Sequence, residues 1–132
     1  VVGHTPEMDD VHVIDVRGLS FLRYLEIAKL TGGKVAVITD NDGDAQKHCV
    51  DKYSAYSGDD NIEVFYEPDT AKRTFETVLY TDNGTLCDTL FGTGAQEYML
   101  NNKTEAAFKL LSQEQLITTP DYIKRAIKWI RE

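Results

Sequence analysis

The stretch Lys34-Val35-Ala36-Val37-Ile38-Thr39-Asp40-Asn41-Asp42-Gly43-Asp44 decides the fold. Its first half is a continuous β-branched and apolar run without alternation, the pattern of a strand buried on both faces of a parallel sheet. Its second half places three carboxylates where that strand ends and the next helix begins. From Asp44 to Tyr56 the spacing predicts a helix with Ala45, Cys49, Tyr53 and Tyr56 on one face.

Toward the N-terminus, Val11-His12-Val13-Ile14-Asp15-Val16 reads as a strand ending at Arg17-Gly18, where Gly18 permits a tight or positive-φ turn. Leu19 to Leu30 reads as a helix. Phe21, Leu22, Tyr24, Leu25, Ile27, Ala28 and Leu30 leave only a narrow polar stripe of Arg23, Glu26 and Lys29, so the helix is expected to be covered on most sides. Thr31-Gly32-Gly33 ends it. Ile62 to Tyr66 is a third, shorter strand nearer a sheet edge. The order β-α-β-α-β with short links predicts right-handed crossovers and a parallel sheet, an α/β fold.

Beyond residue 70 the pattern turns helical. Thr74–Tyr80, Ala95–Leu100, Lys103–Leu111 and Asp121–Arg131 read as helices, with a turn at Asp82-Asn83-Gly84 and an ambiguous stretch from Thr85 to Gly94. Asn102 with Glu105 resembles a capping box, and Thr119-Pro120 suits a helix start with proline at the first helical position. The last helix carries Ile123, Ala126, Ile127 and Ile130 on one face and Lys124, Lys128 and Arg131 on a solvated one, with Trp129 at the border. Residues 1–10 read as a lead-in or a non-native leader, and 11–132 as one domain whose part from 81 onward is mostly helical.

The chain has 132 residues, 14 of them basic and 22 acidic, for a formal charge of −8. That length closes one core and not two. No apolar run is long enough to span a bilayer and no signal-peptide pattern opens the chain, which points to a cytoplasmic protein away from membranes. Cys49 and Cys87 form no CxxC pair, as expected of two reduced thiols. His4, His12 and His48 form no ligand cluster, and the tyrosines are too scattered for a base-stacking platform. A domain at −8 repels nucleic-acid phosphates, so any work on DNA needs bound cations or another part of a larger protein.

Asp40, Asp42 and Asp44 stand where ligands bind in open parallel sheets, outside the carboxyl end of a strand. One aspartate there needs no more than a helix cap or a turn. Three within five residues repel one another unless a cation lies between them, and a hard ion such as Mg²⁺ takes one or two carboxylates and fills its other positions with water or phosphate. An EF-hand fails, because its sixth and twelfth positions hold Ala45 and Asp51 and a strand precedes the loop. A haloacid-dehalogenase-like phosphatase wants Gly-Thr after the second Asp, and places this strand first. A response-regulator receiver wants an aspartate at the end of a later strand, which 62–66 lacks. Both stay open as weaker alternatives.

Together, Val13-Ile14-Asp15-Val16-Arg17-Gly18-Leu19-Ser20-Phe21 and Val35-Ala36-Val37-Ile38-Thr39-Asp40-Asn41-Asp42-Gly43-Asp44 resemble the TOPRIM domain of OLD-family (overcoming lysogenization defect) ATP-dependent endonucleases. The resemblance runs from about residue 11 to the C-terminus and is loose beyond 80. It implies a TOPRIM-like Rossmannoid parallel sheet flanked by helices, with a C-terminal helical extension. It also implies a DNA endonuclease using Mg²⁺ or Mn²⁺ in a two-metal site. The partners it implies are DNA and an N-terminal ATPase domain that alone would bind ATP, with homo-oligomers forming through that domain.

Carried over, Asp40 and Asp42 match the metal-holding DxD pair, and Asp44 would support it through water. Glu76, in Thr74-Phe75-Glu76, resembles the Thr-Leu-Glu element that adds an acidic ligand. Lys103 resembles a lysine that neutralises charge at the scissile phosphate. The family's first motif, a strand ending in Glu-Gly, has no match. Glu7 lies four residues before Val11, without room for an intervening helix, so the chain alone is expected to be a weak or inactive nuclease. A degenerate TOPRIM module kept for regulation or partner binding is the non-enzyme alternative.

Overall fold

A computed structural model describes residues 5–16 and 21–132. Two strands, β1 (Val35–Ile38) and β2 (Ile62–Phe65), pair in parallel, with Val35 opposite Ile62 and Ile38 opposite Phe65. Adjacent backbone bonds extend the ladder at both ends, from Val35 N–H to the Asn61 carbonyl (2.8 Å) and from Thr39 N–H to the Phe65 carbonyl (3.2 Å). Helix α1 (Phe21–Thr31) covers one face and the C-terminal helix, α6 (Asp121–Arg131), the other. The α/β class and the helix-flanked parallel sheet are therefore as expected.

Alternation across the two strands divides the core. Val35, Val37 and Val64 join Leu25, Ala28, Tyr53, Tyr56 and Ile62 on the α1 side. Ala36 and Phe65 join Val78, Tyr122 and Ala126 on the α6 side. Leu25 is 1% exposed, so truncation to Ala should cost about 3 kcal/mol in lost transfer energy and cavity. Lys34 ties the end of α6 to the start of β1: its Nζ donates to the Trp129 carbonyl (2.6 Å) and lies 4.4 Å from the indole centroid. A cation is favoured at that negative helix end.

Several expectations need correction. Residues 11–16 form no strand; they run as irregular chain with Val13 and Ile14 exposed. A β-branched run becomes a strand only where a neighbour supplies a ladder and cover, and among the described residues β1 pairs with β2 alone. The proposed end of that strand at Arg17-Gly18, the Gly18 turn, Leu19, Ser20 and His4 lie outside the described residues. With two strands among the described residues, each is an edge there: β1 is half-buried, and Ile38 is exposed. Helix α1 buries only Leu25 and Ala28 fully, while Tyr24, Ile27 and Leu30 face solvent, so it is not covered on most sides.

The segment after the acidic loop keeps the expected buried face, Cys49, Tyr53 and Tyr56, but not as a regular α-helix. A π-turn over Gln46–Val50 tightens into 3-10 geometry over Asp51–Tyr56.

The helical half comprises α2 (Phe75–Asp82), α3 (Gly84–Phe91), α4 (Ala95–Asn101) and α5 (Lys103–Leu111) around Leu79, Cys87, Ala95, Met99, Ala106 and Leu110. The ambiguous stretch 85–94 thus lies mostly in α3. The turn expected at 82–84 is the α2–α3 junction, where buried Asn83 donates to the Leu79 and Thr118 carbonyls and accepts from Thr118 N–H (2.6 Å).

Asn102 makes no capping box: its side-chain amide donates back to the Tyr98 carbonyl, and Glu105 pairs with Lys109 instead. Pro120 is the N-cap of α6 rather than its first helical residue. The buried face of α6 turns on Tyr122 and Ala126, leaving Ile127 exposed.

Candidate functional site

The carboxyl end of β1 runs into the turn 40–44, and a lattice of hydrogen bonds from distant chain holds that turn. Asn41 is 1% exposed. Its amide nitrogen reaches the carbonyls of Glu67 (2.7 Å), Asp69 and Lys72 (both 3.1 Å), and its Oδ1 accepts from Gly43 N–H (2.8 Å). Asp42 N–H donates to the Arg73 carbonyl (3.1 Å). The turn passes through left-handed conformations at Asp42 (φ 50°) and Gly43 (φ 88°). Aspartate tolerates that region better than most residues, and glycine enters it freely.

Asp40 Oδ1 accepts from Phe75 N–H (2.8 Å), so the first carboxylate of the loop holds the first residue of α2. Thr74 caps that helix through its hydroxyl, which accepts from Thr77 N–H. Glu76 follows, one residue beyond Phe75, with its side chain 13% exposed. Lys103, from the first turn of α5, brings its Nζ to 3.1 Å from Glu76.

Burial pushes the Asp40 carboxyl above the usual carboxylate range, against the Phe75 N–H, which pulls it down. Glu76 and Asp42 push it further up, and Lys103 pulls it down. Asp40, Asp42, Glu76 and Lys103 therefore share one electrostatic neighbourhood, although 63 residues separate its ends in sequence. Asp44 behaves differently. Its Oδ1 accepts from Lys47 N–H (3.0 Å), as a cap for the segment that follows.

The donor chemistry suits a hard divalent cation: oxygen donors only, on a carboxylate already crowded by other negative charge. Among the described residues, no three His, Cys, Asp or Glu side chains converge closely enough to enclose a metal ion. The described carboxylates therefore form no closed protein cage; one or two of them are what a water-keeping divalent cation would use.

Three residues of this site escaped the sequence reading. Asn41 pins the loop, Arg73 lies against it, and Tyr122 stands close enough to feel the charges of Asp40 and Glu76. Burial first, then the charges of Asp40, Glu67 and Glu76, hold the Tyr122 phenol well above its ordinary range. An Asn between two aspartates was a visible signal, since Asn in such turns bonds its own backbone two residues on. Arg73 and Tyr122 carry no local signal.

A family model described as the overcoming lysogenization defect protein-like TOPRIM domain matches residues 1–42, which end at Asp42. TOPRIM modules bind divalent metals and act on nucleic acids in nucleases, topoisomerases and primases. No curated protein and no solved structure matches the chain. Among the described residues, no helix is long and apolar enough to cross a membrane.

Proposed function

We propose that the chain is an OLD-like TOPRIM domain and the DNA-cleaving part of a metal-dependent endonuclease that hydrolyses phosphodiester bonds, in a polypeptide whose ATPase domain couples to it. The observation that carries the reading is the meeting of Asp40, Glu76 and Lys103 at the carboxyl end of β1. Two loops and two helices converge there, and carboxylates with one ammonium are what phosphoryl chemistry on an acidic protein requires.

Asp40 and Asp42 would hold one cation, Glu76 would contribute to a second, and Asp44 would act through water. Bound Mg²⁺ or Mn²⁺ supplies Lewis-acid charge and an activated water for in-line displacement. The chain's own part is to place and orient. The Phe75 amide engages one oxygen of Asp40, and the other would serve the cation. Lys103, 55% exposed, is free to turn from Glu76 toward a phosphate oxygen that gains charge as the bond breaks. The cations also reverse the local sign of a domain at −8, which otherwise repels DNA.

The test is Mn²⁺ binding, followed by electron paramagnetic resonance, together with plasmid cleavage by the protein at its native length. Asp40→Asn keeps an oxygen for the Phe75 amide, and Glu76→Gln keeps the side-chain shape. Both should weaken Mn²⁺ binding and remove cleavage without loss of fold. Cleavage at the wild-type rate by both variants would overturn the assignment.

A further inference from the structure

The acidic loop carries a cation of its own. Arg73 is exposed, yet the Nε–Nη2 edge of its guanidinium is turned to Gly43: a Cβ placed there would fall 2.6 Å from Nε and 2.7 Å from Nη2. The close approach exists because residue 43 has no side chain. Three links bind the 73–76 segment to the 40–43 loop. They are the Asp42 N–H to Arg73 carbonyl bond, the Phe75 N–H to Asp40 bond and this guanidinium contact. Arg73 therefore moves with the loop that bears Asp40 and Asp42.

An arginine against the 40–44 turn would be expected to pair with one of its carboxylates. Among the described residues its guanidinium makes neither an ion pair nor a hydrogen bond, whereas Lys103, Lys109, Arg125, Lys128 and Arg131 all hold carboxylates. The guanidinium thus rests with its Nε–Nη2 edge against Gly43 on an exposed side chain, and its Nη1–Nη2 end holds no acceptor among the described residues. A planar donor fork of this kind matches two oxygens of a phosphate.

Resting on the nuclease reading, we propose that Arg73 is a DNA phosphate-docking residue. It grips a backbone phosphate beside the one that is cut and so sets the register of the strand over Asp40 and Asp42. The contact is with the backbone, so it carries no sequence preference.

The experiment uses the protein at its native length and a fluorescent DNA duplex in Ca²⁺, which fills an oxygen site without the octahedral geometry of Mg²⁺. Binding is followed as KCl is varied, and Mg²⁺-dependent cleavage is measured in parallel for wild type, Arg73→Gln and Arg73→Lys. Loss of one phosphate contact lowers the slope of log K against log salt by about 0.9. Arg73→Gln should show that drop, with weaker binding across unrelated duplexes and a raised KM at nearly unchanged kcat. Arg73→Lys should keep the slope and recover part of the affinity, because charge survives without the fork.

An unchanged slope in Arg73→Gln, with wild type cutting normally, overturns the docking role and leaves the nuclease reading standing. A fall in kcat alone, with slope and KM unmoved, assigns Arg73 a structural part and overturns it too. A wild-type protein that binds no DNA and cuts none under Mg²⁺ or Mn²⁺ overturns both.

Discussion

Lys103 Nζ sits 3.1 Å from each carboxylate oxygen of Glu76, straddling the group where a divalent cation would also sit. The ammonium is half in solvent, so the pair itself contributes at most about 1 kcal/mol to stability. Its larger effect is electrostatic, since it offsets the negative charge crowding Asp40. Lys103→Met should therefore shift the urea midpoint little while tightening Mn²⁺ binding several-fold and slowing cleavage. Tighter metal binding with slower chemistry separates a phosphate-facing lysine from a structural one. A variant that binds Mn²⁺ no better than wild type would argue against the shared neighbourhood.

Asn41 makes the opposite case, a buried group whose removal should be costly. Its two amide hydrogens serve the Glu67, Asp69 and Lys72 carbonyls, and its oxygen serves Gly43 N–H. Asn41→Ala leaves these groups without partners and should destabilise by about 3 kcal/mol, at roughly 1–3 kcal/mol for each orphaned group that water cannot reach. Asn41→Asp should be worse, because a carboxylate has no hydrogen to give to three carbonyls. Asp44→Ala, which removes one exposed cap bond, should cost only about 1 kcal/mol. Urea unfolding of the three variants gives the order directly.

These residues also show what was legible in the sequence. The strand at Val35–Ile38 and the glycines after α1 announce themselves locally, through β-branching and turn chemistry, although the strand is half-buried rather than covered on both faces. Val11–Val16 carries the same β-branched signal and forms no strand, because a strand is a relation with a neighbour that no local pattern guarantees. The DxD loop was legible as chemistry, but the approach of Glu76 and Lys103 followed only from a family resemblance. Asn41 reaches carbonyls 26 to 31 residues away. Arg73 meets Gly43 across 30 residues that include a helical segment and β2. Contacts of that span are fixed by topology, and no window of sequence displays them.

Asp42 stands at φ 50°, which makes the choice of substitution matter. Asp42→Ala removes the carboxylate but also places a residue with no local side-chain bond in left-handed backbone, at a cost of about 1–2 kcal/mol. Asp42→Asn and Asp42→Gly occupy that conformation more easily. All three should lose metal-dependent cleavage, whereas thermal denaturation should show a clear fall in Tm for the alanine variant alone. If the asparagine variant cuts DNA as wild type does, Asp42 has no place among the metal ligands.

Cys49 supplies a pH dependence that needs no metal. Its thiol lies under the acidic loop, 2% exposed, with Sγ 3.5 Å from the Asp40 carbonyl. Burial, then the charge of Asp42, pushes it from the ordinary value of 9.0 up to about 11. In the unfolded chain the thiol ionises first, so above pH 9 the folded state holds more protons than the unfolded state and stability falls as pH rises. The contribution is fully present below pH 9 and disappears on passing through about pH 11. Urea midpoints measured from pH 8 to 10.5 should decline, and Cys49→Ala should flatten that decline even if its midpoint at pH 8 is lower. Native protein at pH 8 should resist iodoacetamide at Cys49, where about one thiol in a thousand is ionised, and react promptly once unfolded. Equal slopes in wild type and Cys49→Ala would remove Cys49 as the titrating group and shift attention to the buried phenols of Tyr53 and Tyr122, whose ionisation burial also delays.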